Sequence, residues 1–221
     1  MHREIKYGSM SRKNIVFREI LYRVFELGES YMTQKSIAET CKVSLDTINK
    51  VVRTLNKFCG VEKKPMGFRV INVQKVLTYW ACTRDLYKDV CFATYTSNPV
   101  KRVESEMPVG TIFTAFSGYA RKVGQTSSYT EVYVYGDPLE IERKFPKRET
   151  RKPNLIVLER DHHIERVSKD GVAPLAQIYV DLWQVGSQEA EKFLLDLENF
   201  LKLRREKTLK EIVRRMREVQ R

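Results

Sequence analysis

Gln34-Lys35-Ser36-Ile37-Ala38-Glu39-Thr40-Cys41-Lys42-Val43-Ser44-Leu45-Asp46-Thr47-Ile48-Asn49-Lys50-Val51-Val52-Arg53-Thr54-Leu55 reads as two helices joined by a tight turn. Thr33 offers a capping oxygen to the first helix, whose inward residues are Ile37 and Ala38. Lys42-Val43 forms the turn, and Ser44 caps a second helix that extends to about Phe58. At about 100° per residue, Leu45, Ile48, Val52, Leu55 and Phe58 share one face of that helix. Asp46, Asn49, Lys50, Arg53 and Lys57 share the other, flanked by Thr47 and Thr54.

Upstream, Ser11 or Asn14 caps an earlier helix in which Ile15, Ile20, Leu21, Val24, Phe25 and Leu27 recur mostly three and four apart, and Gly28 stops it. Downstream, Cys59 to Ile71 reads as two short strands around a Lys63-Lys64-Pro65-Met66-Gly67 turn, with basic and aromatic residues alternating on the return strand. Three helices with a short turn between the second and third, followed by a basic hairpin, predict a winged helix-turn-helix over residues 1–71. The quoted stretch resembles the helix-turn-helix of many prokaryotic transcription regulators, with small Ala38 letting the two helices approach.

In that arrangement the third helix enters the major groove of double-stranded DNA. The expected base contacts are Ser44, Asp46, Thr47, Asn49, Lys50 and Arg53: arginine and lysine suit guanine, and asparagine suits adenine. Thr33, Gln34, Lys35, Lys57, Lys63, Lys64 and Arg69 are expected on the phosphate backbone, where contacts position without reading sequence. The competing reading is a protein-interaction module with a merely solvated charged face; three cations against one anion on that face argue for DNA.

Charge distribution points the same way. The chain has 221 residues and a formal charge of +12. Residues 1–75 hold 15 Lys+Arg and 7 Asp+Glu, and residues 202–221 hold 9 and 3, so both ends are basic. Residues 76–201 hold 16 and 18 and are slightly acidic. Basic segments flanking a near-neutral module suit a polyanionic partner. No apolar run approaches the roughly 18–20 residues of a membrane span. The first ten residues carry charge with no apolar segment behind it, which argues against a secretory signal. Cys41, Cys59, Cys82 and Cys91 lack the close spacing of zinc sites and are expected as buried apolar residues in a reducing cytoplasm. His162 and His163 sit beside Asp161, but adjacent residues of a strand face opposite ways and seldom chelate together.

From Asn72 a linking helix runs to about residue 90 and carries Val76, Leu77, Trp80 and Leu86. Residues 91–201 alternate strands and helices, predicting an α/β module and an α+β chain overall. Strands are expected at Cys91–Thr96, Glu131–Tyr135 and Asn154–Glu159, and helices at Pro99–Met107, Leu139–Phe145 and Gln188–Leu201. Thr111–Ala120 reads as a helix, and Asp181 as a carboxylate on an otherwise apolar strand that accepts backbone hydrogen bonds or caps the next segment. Tyr95, Tyr133 and Tyr135 read as sheet-packing residues rather than a base-stacking platform.

A strand, a Gly136-Asp137-Pro138-Leu139 helix start, Asn154-Leu155-Ile156-Val157-Leu158, then Gln177, Tyr179 and Asp181-Leu182 before an acidic-Ala helix resemble the C-terminal part of AbiEi-type proteins. These are antitoxin-like regulators with an N-terminal winged helix and a nucleotidyltransferase-like C-terminal domain. The resemblance implies a transcriptional repressor with a cognate toxin partner.

Catalysis is not expected. A nucleotidyltransferase needs a Gly-Ser phosphate turn followed by paired carboxylates for Mg²⁺. Gly8-Ser9 and Gly186-Ser187 have no such pair after them, Glu104 and Glu106 do not share a helix face, and Asp161 and Glu165 follow no glycine-rich turn. No catalytic residue, metal ligand or cofactor is therefore assigned. The alternatives to a regulator are an enzyme acting on nucleotides or nucleic acid and an RNA-binding protein, either one delivered by the winged helix. Residues 202–221 form a basic amphipathic segment in which Leu209, Ile212, Met216 and Val219 follow a three-four-three spacing, the seam of a short coiled coil that supports a homodimer or packs back on its own chain.

Overall fold

The computed structural model describes residues 12–124, 127–148 and 151–202. Helix α1 (Arg12–Tyr22) continues into a π-helical turn (Arg23–Leu27) that ends at Gly28, whose φ of 73° is the left-handed conformation glycine tolerates. Strand β1 (Tyr31–Met32), α2 (Gln34–Cys41), α3 (Leu45–Lys57) and the hairpin β2 (Val61–Lys64) and β3 (Gly67–Val70) complete the first module. The sheet order is β1-β3-β2, all antiparallel. The pairing of β1 is not in the sequence reading, since two residues carry no periodicity. It requires Gly67, where a Cβ would lie 2.2 Å from the Met32 carbonyl oxygen.

Helix α4 (Val73–Thr83), capped by the Asn72 side chain, and a 3₁₀ turn (Leu86–Asp89) lead into the second sheet. Its strands β4 (Val90–Thr94), β5 (Ile112–Thr114), β6 (Val132–Tyr135) and β7 (Leu155–Leu158) lie in the order β4-β7-β6-β5. Only the central β6–β7 pair is parallel. Alternation divides the two faces. Val132, Val134, Leu155 and Val157 pack with α5 (Val100–Ser105) and α7 (Pro138–Lys144), whereas Tyr133, Tyr135, Ile156 and Leu158 face the main core. Over that second face lie α6 (Ala115–Lys122), α8 (His162–Val167), α9 (Leu175–Val185) and α10 (residues 188–202). The chain is thus mixed helix and sheet, of α+β type. One apolar cluster runs without a break from Ile15 on α1 through Trp80 on α4 to Leu201 on α10.

Several expectations need correction. Residues 175–185, with Asp181 among them, are helix rather than strand; a fully apolar run lacks the period that tells a buried helix from a buried strand. Thr111–Ala120 divides into β5 and α6, with Ala115 turning the chain at φ 46°. Asn14 is not a cap but lies inside α1, where its Oδ1 accepts the Trp80 indole N–H at 3.2 Å. On α3, Val51 rather than Leu45 is inward, and Leu45 is half exposed. The linking helix stops at Thr83. His162 and His163 open a helix, with only the second buried. Of the cysteines Cys41 is buried and Cys91 partly so, but Cys59 and Cys82 are exposed. Ser11 and the C-terminal seam residues lie outside the described residues.

Candidate nucleic-acid interface

The first surface is built from α2, α3 and the hairpin. The Thr33 side chain accepts from the Ser36 amide at 3.1 Å and starts α2. Lys42, at φ 53°, reverses the chain, and the Ser44 hydroxyl accepts from the Thr47 amide at 3.3 Å to start α3. Ile48, Val51, Val52 and Leu55 hold α3 in the core, so Ser44, Asp46, Asn49, Lys50, Arg53 and Lys57 face solvent while Thr47 is half covered. Lys50 pairs with Asp46 at 2.8 Å, one turn away; Arg53 forms no ion pair among the described residues. The Asn56 side chain accepts from the Lys63 amide at 3.2 Å and ties the hairpin to the end of α3. Lys63, Lys64 and Arg69 are exposed on that hairpin, Lys64 beside Glu62 at 2.7 Å. Thr33 and Gln34 are half buried at the start of α2, and Lys35 is exposed. The expected base-reading residues therefore lie on one exposed helix and its cap, Lys57 ends that helix, and the other expected backbone residues lie at the start of α2 and on the hairpin.

Behind this surface lies a second group of charges, nearly all missed by the sequence reading. Arg23 donates to Ser36 Oγ at 3.0 Å, Thr40 Oγ1 at 3.1 Å and Glu19 Oε1 at 2.7 Å, pinning α2 to α1. Glu19 Oε2 is 2.9 Å from His163 Nε2 and also pairs with Arg166. Burial raises the Glu19 pKa, but hydrogen bonds from His163 and Arg23 and the Arg166 charge outweigh it and bring it down to about 2. Burial, joined by the charges of Arg18 and Arg166, holds the His163 imidazole below its ordinary value against the pull of Glu19.

Arg18, wholly buried, donates to both Asp161 oxygens at 2.9 Å and to Gln177 Oε1 at 2.7 Å. Gln177 in turn donates to Asp181 Oδ1 at 2.8 Å. Asp181 also accepts from Thr114 Oγ1 at 2.6 Å, from the Tyr135 hydroxyl at 2.8 Å and from Arg84 Nε at 3.1 Å. Asp181 thus serves buried side chains from β5, β6, the α4 end and its own helix, not the backbone partners expected of it. The same network claims Tyr135, which is more than a packing residue. A readable signal for this seam is present: Arg18-Glu19 interrupts the apolar run from Ile15 to Leu21, and Arg84 follows the buried Trp80-Ala81 at the end of another helix.

Asp161 caps α8 and Glu165 pairs with Arg160, so these two carboxylates have separate work. Glu104 and Glu106 likewise go to Tyr129 and Arg102. Among the described residues no group of three or more His, Cys, Asp or Glu is placed to hold a metal ion, and no helix is long and apolar enough to cross a membrane. Compared with family models, curated proteins and solved structures, the chain matches none.

Proposed function

We propose that the chain is a sequence-specific DNA-binding transcriptional regulator in which the first module acts as a winged helix-turn-helix, α3 reads the major groove and the β2–β3 hairpin grips the backbone. The observation that carries this reading is the outward face of α3, where Asn49, Lys50, Arg53 and Lys57 stand exposed on a helix anchored by its opposite side. Long donors on a rigid helix are what base edges require, and exposed lysines on the adjoining hairpin supply phosphate contacts. In this reading the second module is a non-catalytic, nucleotidyltransferase-like domain. Asp181 supports that role, because buried side chains already take both of its oxygens. Its resemblance to AbiEi-type antitoxins implies a repressor of the synthesis of a cognate toxin that is also its partner; its cysteine usage suits the cytoplasm, and the spacing of its C-terminal segment suits a homodimer.

The test is binding to labelled duplex from the region upstream of the protein's own gene, with random duplex and RNA as competitors at two salt concentrations. A preference of roughly a thousandfold over random duplex is the expected result. Salt-steep binding without preference, or equal competition by RNA, overturns it.

A further inference from the structure

We propose that the cleft between α1, α3, α4 and the 3₁₀ turn is a binding site for a small ligand that carries an amino group and an anionic group. The cleft has a volume of about 590 Å³, within the range of small-molecule sites. Its two ends differ in chemistry. The buried floor is Asp89 and Asn14, which are 5% and 9% exposed, and the open rim is Lys13, Lys50 and Lys88.

Asp89 is an unfinished partner. Its Oδ2 stands 2.9 Å from Arg84 Nη1, yet neither atom makes a hydrogen bond, because the angles are wrong for one. Arg84 has already committed Nε and Nη2 to Asp181 and Tyr135. Oδ2 is shut inside that ion pair, whereas Oδ1 accepts no hydrogen bond from a described residue and is not fully covered, so it is the oxygen that an N–H donor entering the cleft reaches. Burial raises the Asp89 pKa against the opposing charge of Arg84, as expected of a carboxylate short of donors. Beside it Asn14 spends its carbonyl oxygen on Trp80, which leaves its amide N–H groups to donate.

At the rim, among the described residues, Lys50 and Lys88 are held only by exposed pairs with Asp46 and Asp85, at 2.8 and 3.2 Å, which an incoming anion readily exchanges. Lys13 forms no ion pair among the described residues. Between the ends, Phe17 and Tyr79 give an aromatic wall. A phosphate and a carboxylate suit the lysines equally, so an aminated mononucleotide and an amino acid are two sources of one chemistry. The site itself does not rest on the DNA-binding reading. Because Lys50 and Thr54 belong to α3, its occupant also touches the proposed reading helix.

Isothermal titration calorimetry of the full chain needs no DNA and separates the sources. One arm uses adenosine monophosphate against inosine monophosphate, which lacks the amino group. The other uses a panel of amino acids against their hydroxy-acid counterparts, and inorganic phosphate serves as control. The expected result is saturable one-to-one binding in one arm, with the amino-free counterpart at least about tenfold weaker. Asp89→Asn should weaken binding by a similar factor. Should that variant fail to fold, Lys13→Glu with Lys88→Glu changes only exposed side chains, and should cost about tenfold in affinity with an unchanged melting temperature. No heat from either arm up to millimolar ligand, equal binding with and without the amino group, or phosphate binding as tightly as the best ligand overturns the proposal.

Discussion

Arg53 and Arg84 carry the same guanidinium, and the regions they occupy use it in opposite ways. On α3 the charge stands in water, with no ion pair among the described residues. In the seam between α4 and the second sheet it is wholly buried and shared between Asp89, Asp181 and Tyr135. An exposed cation costs the fold little and is free for a partner; a buried one is tolerable only while its partners remain. The first region holds its charges in reserve, and the second spends them on joining α1 and α4 to α8, α9 and the sheet.

The largest expected effect comes from breaking the seam at its centre. Asp181→Ala removes the acceptor for Arg84, Thr114, Tyr135 and Gln177 at once, and should cost about 3–5 kcal/mol. Urea unfolding measures it as a lower midpoint at unchanged slope. A loss below about 1 kcal/mol would put the seam on the same footing as surface pairs and end the contrast.

Acid should open the same seam. Glu19 has its pKa depressed to about 2 from 4.5, so its stabilising contribution is complete above the higher value and is lost as pH falls from 4.5 toward 2. His163 has its pKa held below 6.5, so the folded state favours the neutral ring, and stability declines once pH drops under 6.5 and the unfolded chain takes up that proton. The two act in one direction. Unfolding free energy should fall steadily from about pH 6.5 downward, with the Glu19 part on the order of 3 kcal/mol. Glu19→Gln should flatten the lower half of that curve. An unchanged curve would mean the fold takes no stability from the Glu19 charge.

Gly67 sharpens the comparison from the other side, since the vulnerable point of the first module is backbone rather than charge. Gly67→Ala drives a methyl against the Met32 carbonyl and should displace β1, costing about 1–3 kcal/mol by thermal unfolding. Full stability in that variant would mean the β1–β3 pairing contributes nothing.

What could be read in advance divides along the same line. The caps at Thr33, Ser44 and Asn72, the turn at Lys42 and the hairpin around Pro65-Met66 are local, and each is decided by a few neighbouring residues whose chemistry is visible in order. The exposed face of α3 follows from helical period alone. The bonds that join the seam's separate elements link partners 46 to 159 positions apart, such as Tyr135 with Asp181 or Arg18 with Gln177, and no period encodes such a distance. Asp181 stands out as a carboxylate in an apolar run, but an apolar run buried on all sides reads alike as strand and as helix. The wrong element therefore brought the wrong partners. Arg18 and Glu19 give a weaker sign because a helix with one apolar stripe is expected to wet its other face, whereas α1 is covered on that face by α8 and α9.

The smallest effects on the fold should come from the charged face, and these carry the functional reading. Arg53→Ala and Lys64→Ala each remove an exposed side chain and should leave stability within about 0.5 kcal/mol of the parent. On DNA the two should part. If Arg53 meets a base edge, its loss weakens the specific site by about 1–3 kcal/mol and random duplex much less, because the discrimination itself is what disappears. Among the described residues Lys64 pairs only with exposed Glu62, so an incoming phosphate displaces that contact at little cost. Its loss should weaken both duplexes alike and reduce the slope of log affinity against log salt by about one, the signature of one released counterion. Equal losses on both duplexes for Arg53→Ala would remove α3 as the reader while leaving the hairpin as an electrostatic grip.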